Sequence, residues 1–280
     1  SDVTGSVTSA AATLSVYEAP NLGTGAKLIA YWDFNDANVS TQTLDSVHGF
    51  VGKLTNGAAF TAGGGGQSGQ AGDRAMDFGN VAVDNRSVRV TDIAPWLSAA
   101  GLADQITVSF WQRWSVSITS CCSSFWMVSP SSTERERGVQ AHIPYGDSII
   151  FDTAGCCDHA TQRIEAHISV LDPNFNWQTW HHFALTKSNA VKQIWIDGRH
   201  IVQGTNTAAL PTDFTELVLG NQPEIGNNLR GNLDDFAVFG SALHPAQISA
   251  LAQGTSPLLL DPYTFTTLAG SAGNSGSTDA

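Results

Sequence analysis

Apolar residues in this chain come in short runs, and most of the runs are closed by Gly, Asn, Asp or Ser. "KLIAYWDF", "HGFVGKL", "AMDFG", "SVRVTD", "QITVSFWQRW", "SSFWMVS", "DSIIFDT", "RIEAHISV", "WHHFALTK", "KQIWIDG", "FTELVLG" and "LRGNLDDFAVFG" are each strand-length. In "ITVSFW" Ile106, Val108 and Phe110 alternate with Thr107 and Ser109, which predicts a half-buried antiparallel strand. Asp197-Gly198 closes "KQIWIDG" as a tight hairpin turn into "RHIVQG". One helix is predicted, over "SALHPAQISALAQG". Pro245 suits a first helical position, Ala246, Ile248 and Leu251 share a face, and Gly254 supplies a stop. "APWLSAAG" suits a second short helical turn, and "AGGGGQSGQAGDR" is a glycine-rich loop.

This pattern describes an all-β sandwich or barrel, one large domain with terminal extras. No apolar run approaches the roughly 20 residues that cross a bilayer. With 13 basic against 25 acidic residues the net charge is -12, which argues against nucleic acid or anionic membrane as a partner. The start "SDVTGSVTSAAATLSV" has neither the basic nor the apolar segment of a signal peptide.

The order of the motifs "LIAYWDFND", "LDSVHG", "ITVSFWQRW", "WHHFALT", "WIDG" and "GNLDDFAVFGSAL" resembles bacterial laminin G-like domains. These belong to the concanavalin A-like jelly-roll superfamily of lectins and glucanases. The resemblance implies a two-sheet antiparallel jelly-roll sandwich with one short C-terminal helix over residues 21–256, usually secreted or displayed on a surface. Residues 1–20 resemble the last strand and linker of an immunoglobulin-like domain, and the tail at 257–280 resembles the opening of an NHL-repeat region. Such modules generally bind carbohydrate or protein, and many carry a structural calcium. Positions matching Asp36, Asp45 and Asp234 lie near the edge where that ion often binds, among the acidic clusters "WDFND", "LDSVHG" and "NLDDF".

Glycosidases of this superfamily carry carboxylates a few residues apart on one strand, and this chain has no such triad. Glu134 and Glu136 in "TERERG" read as a charged hairpin tip. His181 and His182 point to opposite sheet faces and read as structural. The G-x-G-x-x-G at Gly64, Gly66 and Gly69 is not followed by a helix, so it is no dinucleotide fingerprint. The reading is therefore non-catalytic. Tyr145, Phe175 and Trp177, in loop-like "HIPYGD" and "DPNFNW", are the aromatics best placed to stack on a sugar.

All four cysteines lie in two adjacent pairs, Cys121 with Cys122 and Cys156 with Cys157. Three disulfide connectivities are open: two vicinal bridges, or either of two crossing arrangements. Crossing bridges would close a loop of about 35 residues and contribute roughly 3 to 4 kcal/mol. Zinc held by Cys156, Cys157 and His159 is a rival, and so are free thiols. The two segments fall at the start of one predicted strand and just after another, which suggests a staple at one rim. The functional expectation is an extracellular binding or adhesion module of a larger bacterial protein. The alternatives are a structural subunit docking neighbouring copies through its terminal strands, or a glycosidase.

Overall fold

The computed structural model describes residues 26–36, 41–81, 85–115, 122–224 and 226–260. Both tail segments with flanking-domain resemblance therefore lie outside the described residues, apart from 257–260. The first half contains β1 (Leu28–Trp32), β2 (Gln42–Leu44), β3 (Val51–Thr55), β4 (Ala59–Phe60), β5 (Met76–Asp77) and β6 (Ser87–Val90). After α1 (Ala94–Ala103) come β7 (Gln105–Trp114) and β8 (Ser123–Val128). A short turn α2 (Thr133–Glu136) leads into β9 (Arg137–Tyr145), β10 (Ser148–Thr153) and β11 (Arg163–His167). Then follow α3 (Ile168–Leu171), β12 (His181–Ser188), β13 (Val191–Ile196), β14 (Arg199–Thr205), β15 (Glu216–Leu219), β16 (Gly231–Phe239) and α4 (Pro245–Ala252).

Two antiparallel sheets result. One runs β14-β13-β12-β7-β16-β5-β4, with β1 also on β16, and the other runs β11-β10-β9-β8-β15-β6-β3-β2. Their facing sides meet in one apolar core in which Phe110 is central, with ring centroids 5.6 Å from Phe236, 5.8 Å from Phe183 and 6.0 Å from Phe125. Fully buried Trp32 and Phe151 belong to the same core. This is the expected jelly-roll sandwich.

The alternation in β7 predicted one wet face, but Thr107 and Ser109 are buried as well. Their face is covered by α4, whose Ile248 and Leu251 pack with Tyr31, Ala184, Trp195, Ala237 and Phe239. The small polar side chains are satisfied there. Thr107 Oγ1 donates to Ser241 O at 2.8 Å, and Ser109 Oγ is 2.8 Å from His182 Nε2. Helix α4 begins with Pro245 in its first turn, and His244 and Gln247 cap it reciprocally. The Asp197-Gly198 turn adopts left-handed φ at both positions, 49° and 74°, as a type I′ hairpin requires.

Strand β9 was not among the strands predicted from sequence, and its position decides the cysteine question. It is a buried central strand that pairs with β8 on one side and β10 on the other. Two antiparallel pairings in series make β8 and β10 run parallel, so the start of one and the end of the other lie at opposite ends of β9. Ser123, next to Cys122, faces His142, whereas Gly155, next to Cys156, donates to Arg137 O. Five residues of β9 separate those levels, on the order of 17 Å, beyond the reach of a disulfide. The rim staple is thus corrected. Cys156 is bonded to Cys157, which leaves no thiolate for zinc, and Cys122 is disulfide-bonded too, while Cys121 lies outside the described residues.

A bridge between adjacent residues constrains little unfolded chain. The double variant Cys156→Ser/Cys157→Ser is expected to lose about 1 kcal/mol in urea unfolding. A loss of about 3 kcal/mol or more would contradict this account.

Candidate binding site at the loop end of the sandwich

The turn between β9 and β10, helix α3, the segment 172–180 and the β13–β14 turn meet at one end of the sandwich. Ile168 N donates to Asp147 O at 3.0 Å, and the Ser169 hydroxyl donates to the Asp147 carboxylate, tying α3 to the β9–β10 turn. Trp114 N donates to Trp177 O at 2.9 Å, anchoring segment 172–180 to the end of β7.

A pocket of about 380 Å³ opens among these pieces. Ile168, Leu171, Ile196 and Ile201 form its apolar wall, with Phe175, His181, Asp172, Asp197 and Arg199 around them. Phe175 stacks on His181 with ring centroids 4.1 Å apart, and Trp177 meets Phe175 edge-on at 4.6 Å. His181 is held from both sides: Nδ1 is 2.7 Å from Asp197 Oδ2, and Nε2 is 3.1 Å from Asn176 O. The other Asp197 oxygen accepts the His182 backbone N–H at 2.9 Å. Burial alone would raise the Asp197 carboxyl, but the bonds from His181 and His182 outweigh it and hold the group below the usual carboxylate range. Arg199 forms no ion pair among the described residues. The site thus offers an aromatic and aliphatic surface beside a fixed carboxylate and a free guanidinium.

Of the aromatics expected from sequence, Phe175 lines the pocket and Trp177 supports it from behind. Tyr145 is exposed on the neighbouring β9–β10 turn, 5.5 Å from the His142 ring, and is not part of the pocket lining. The histidine pair divides. His182 faces α4 and is buried, and burial pushes it down to about 4, so it is neutral at physiological pH. His181, read from sequence as structural, is a pocket residue. The two do face opposite ways, and the overlooked signal was the Asp-Gly turn two strands on, which returns Asp197 to His181.

The calcium expectation fares differently. Asp36 accepts the Thr43 hydroxyl at 2.5 Å and Leu44 N at 3.3 Å, while Asp45 accepts the N–H groups of Tyr31, His48 and Gly49. Asp234 accepts Gln67 N at 2.7 Å and Asp235 N at 2.8 Å. Asp36 and Asp45 are each held by their own hydrogen-bond donors, whereas burial and the neighbouring Asp235 outweigh the two donors of Asp234 and push its carboxyl above the ordinary range. Among the described residues no three His, Cys, Asp or Glu side chains converge on a point that could hold a metal ion. The donor set Asp36, Asp45 and Asp234 does not fit the six to eight convergent oxygens that calcium takes. Glu134 and Glu136 are exposed on α2 with left-handed φ of 54° and 56°, as a hairpin tip requires.

Two antiparallel sheets with a loop-built pocket at one end define a lectin-like jelly roll. Residues 85–249 match the Laminin_G_3 model, described as the concanavalin A-like lectin/glucanases superfamily, and the chain belongs to that family. No curated protein matches the sequence. Similar solved structures include the binding domain of Botulinum Neurotoxin DC in complex with SialylT, at TM-score 0.61 and 14% identity, covering 82% of this chain and 52% of that one. The same neurotoxin domain in complex with rat synaptotagmin II matches with identical values. A structure described under cell entry of botulinum neurotoxin type C, dependent on two ganglioside molecules, matches at 0.60 and 16%, covering 82% of this chain and 51% of that one. The chain spans about half the length of these structures, and at such identities the likeness is one of fold.

Proposed function

We propose that this domain is a non-catalytic, extracellular carbohydrate-binding module that takes its ligand in the loop-end pocket. The observation that carries the reading is the Phe175–His181 stack set beside Asp172, Asp197 and the unpaired Arg199. A sugar offers a C–H face for the ring and the aliphatic wall, and hydroxyls for the carboxylates and guanidinium. A pocket of about 380 Å³ lies within the range of small-molecule sites, which favours a sugar over a protein surface. The similar neurotoxin structures are binding domains by their descriptions, which agrees with a binding role. Glycoside hydrolysis in this pocket would require a carboxyl raised to act as acid, and the pocket's Asp197 is shifted the opposite way. Paired cysteines suit an oxidising compartment.

A glycan array run on the intact chain tests the reading, with Phe175→Ala and Arg199→Ala beside the wild type. Specific glycan binding is expected, weakened about tenfold or more in each variant, equivalent to about 1.4 kcal/mol. Arg199 is exposed, so its variant reports on binding without disturbing the core. A blank array, or binding indifferent to both substitutions, would sink the proposal.

A further inference from the structure

The loop-end pocket has more apolar wall than a bare sugar can use. Ile168 and Leu171, three residues apart in α3, line it together with Ile196 and Ile201 of the β13–β14 hairpin. Leu171 lines the pocket and is still 57% exposed, so the aliphatic wall runs out to the mouth. Val170 beside it is 79% exposed.

The polar groups, by contrast, are mostly committed to one another. Both Asp197 oxygens are engaged, Oδ2 by His181 Nδ1 at 2.7 Å and Oδ1 by the His182 backbone N–H at 2.9 Å. His181 Nε2 lies 3.1 Å from Asn176 O and 3.0 Å from the Thr179 hydroxyl. Asp172 Oδ1 accepts the Asn174 N–H at 3.0 Å. The Arg199 guanidinium is the uncommitted donor among the described lining residues.

A hexopyranose carries hydroxyls around its whole rim, and each needs a partner once it is taken out of water. Arg199 and the spare lone pairs of Asp172 and Asp197 can serve the hydroxyls of one edge. Hydroxyls set against Ile168, Leu171, Ile196 and Ile201 would find no partner. An apolar group in that place needs none, and it takes the exposed hydrocarbon of Leu171 out of water.

We infer that the ligand of this pocket is a glycoside with an apolar aglycone, an alkyl or acyl chain rather than a further sugar. Phe175, the carboxylates and Arg199 hold the sugar, and the chain lies along Ile168 and Leu171. The inference rests on the carbohydrate-binding reading and names the ligand class of that same site.

Isothermal titration of the intact chain with methyl and n-octyl β-D-glucoside, β-D-galactoside and α-D-mannoside, all below the micelle concentration, tests it. At least one octyl glycoside is expected to bind at least tenfold more tightly than its methyl counterpart. Leu171→Ser is expected to remove most of that advantage and to leave the methyl glycoside unchanged. Should that variant fail to fold, the half-buried Ile201→Thr is expected to act in the same selective way. Arg199→Ala is expected to weaken both members of the pair alike, because it meets only the sugar. Equal affinity within a pair that binds would overturn the inference and leave the carbohydrate reading standing. Octyl glycoside binding undiminished in both Leu171→Ser and Arg199→Ala would mean a chain adhering elsewhere on the surface, and overturns it too. Absence of binding by all six compounds also overturns it, and the glycan array then separates that failure from failure of the carbohydrate reading: glycans still bind in the one case and the array is blank in the other.

Discussion

Asp152→Ala is expected to lower the free energy of unfolding by about 3 to 5 kcal/mol. Asp152 is completely buried and neutralises two guanidiniums: Arg137 at 2.6 Å, and Arg163, whose Nε and Nη2 each bond one carboxylate oxygen at 2.7 Å. The two arginine side chains are themselves only 11% and 14% exposed. Removing the carboxylate leaves two like charges side by side with little water to solvate them, which is the costly way to break a buried pair. The Arg89–Glu216 pair is the control. It lies nearer the surface, with Arg89 36% exposed, so Arg89→Ala should cost about 1 kcal/mol or less. Urea denaturation of the three proteins measures both, and a loss below about 1 kcal/mol for Asp152→Ala would refute the assignment of this triad as a structural centre.

The second large effect concerns pH. Asp234 and Asp235 are neighbours at the irregularity in β16, where Asp235 has a left-handed φ of 48° and both carboxyls reach Gln67. Burial, then the charges of neighbouring carboxylates, pushes both above the ordinary carboxylate range. Tyr31 donates its hydroxyl to Asp235, and Gln67 of the glycine-rich loop donates its backbone N–H to Asp234 and its amide to Asp235. A raised folded pKa contributes stability that is complete below the unfolded value, near 4, and is lost as pH rises through the folded value. Each tenfold change in a group's proton affinity on folding is worth about 1.4 kcal/mol, so the domain should weaken from pH 4 towards alkaline pH at this site by about 1 to 3 kcal/mol. Asp235→Asn should flatten the profile, because the partners of Asp235 are side chains that can exchange donor and acceptor roles. The test is ΔG of unfolding by urea at several pH values from about 4 to 9, for wild type and Asp235→Asn. A wild-type profile that rises with pH, or one that the variant leaves unchanged, would refute the account.

Much of the sandwich could be read from the chain because its cause is local. A strand buried on one side alternates every second residue, and a turn such as Asp197-Gly198 needs only its own two residues to go left-handed. Strand β9 escaped because its outward residues, Gln140 and His142, are polar, and because Gly138 and Pro144 sit within it. Polar residues on a buried outer face look like loop. That single omission also produced the mistaken cysteine staple: with β9 left out, β8 and β10 would form a hairpin and bring the two cysteine pairs together.

The candidate site was legible only in part. Phe175 stood out as an aromatic in a polar loop, and Trp177 proved to be its support. His181, Asp197 and Arg199 carried no such mark, since each looks like an ordinary strand-end residue until the β13–β14 hairpin folds back beside β12. Of the three aspartates expected to share one calcium, Asp36 and Asp45 are ordinary acceptors of nearby hydroxyl and N–H groups, while Asp234 lies buried within β16 beside Asp235.

From the sequence alone follow the all-β class, the antiparallel strands, the hairpin at Asp197-Gly198, the helix opened by Pro245 and the laminin G-like resemblance. These rest on periods and turn chemistry that neighbouring residues set between themselves. Only the tertiary structure decided that α4 covers the outer face of the first sheet and that β9 holds Cys122 and Cys156 apart. It also decided that Phe175 and His181 meet over one pocket. Those outcomes depend on the register between strands distant in sequence, where a shift of one residue would turn every side chain to the other face.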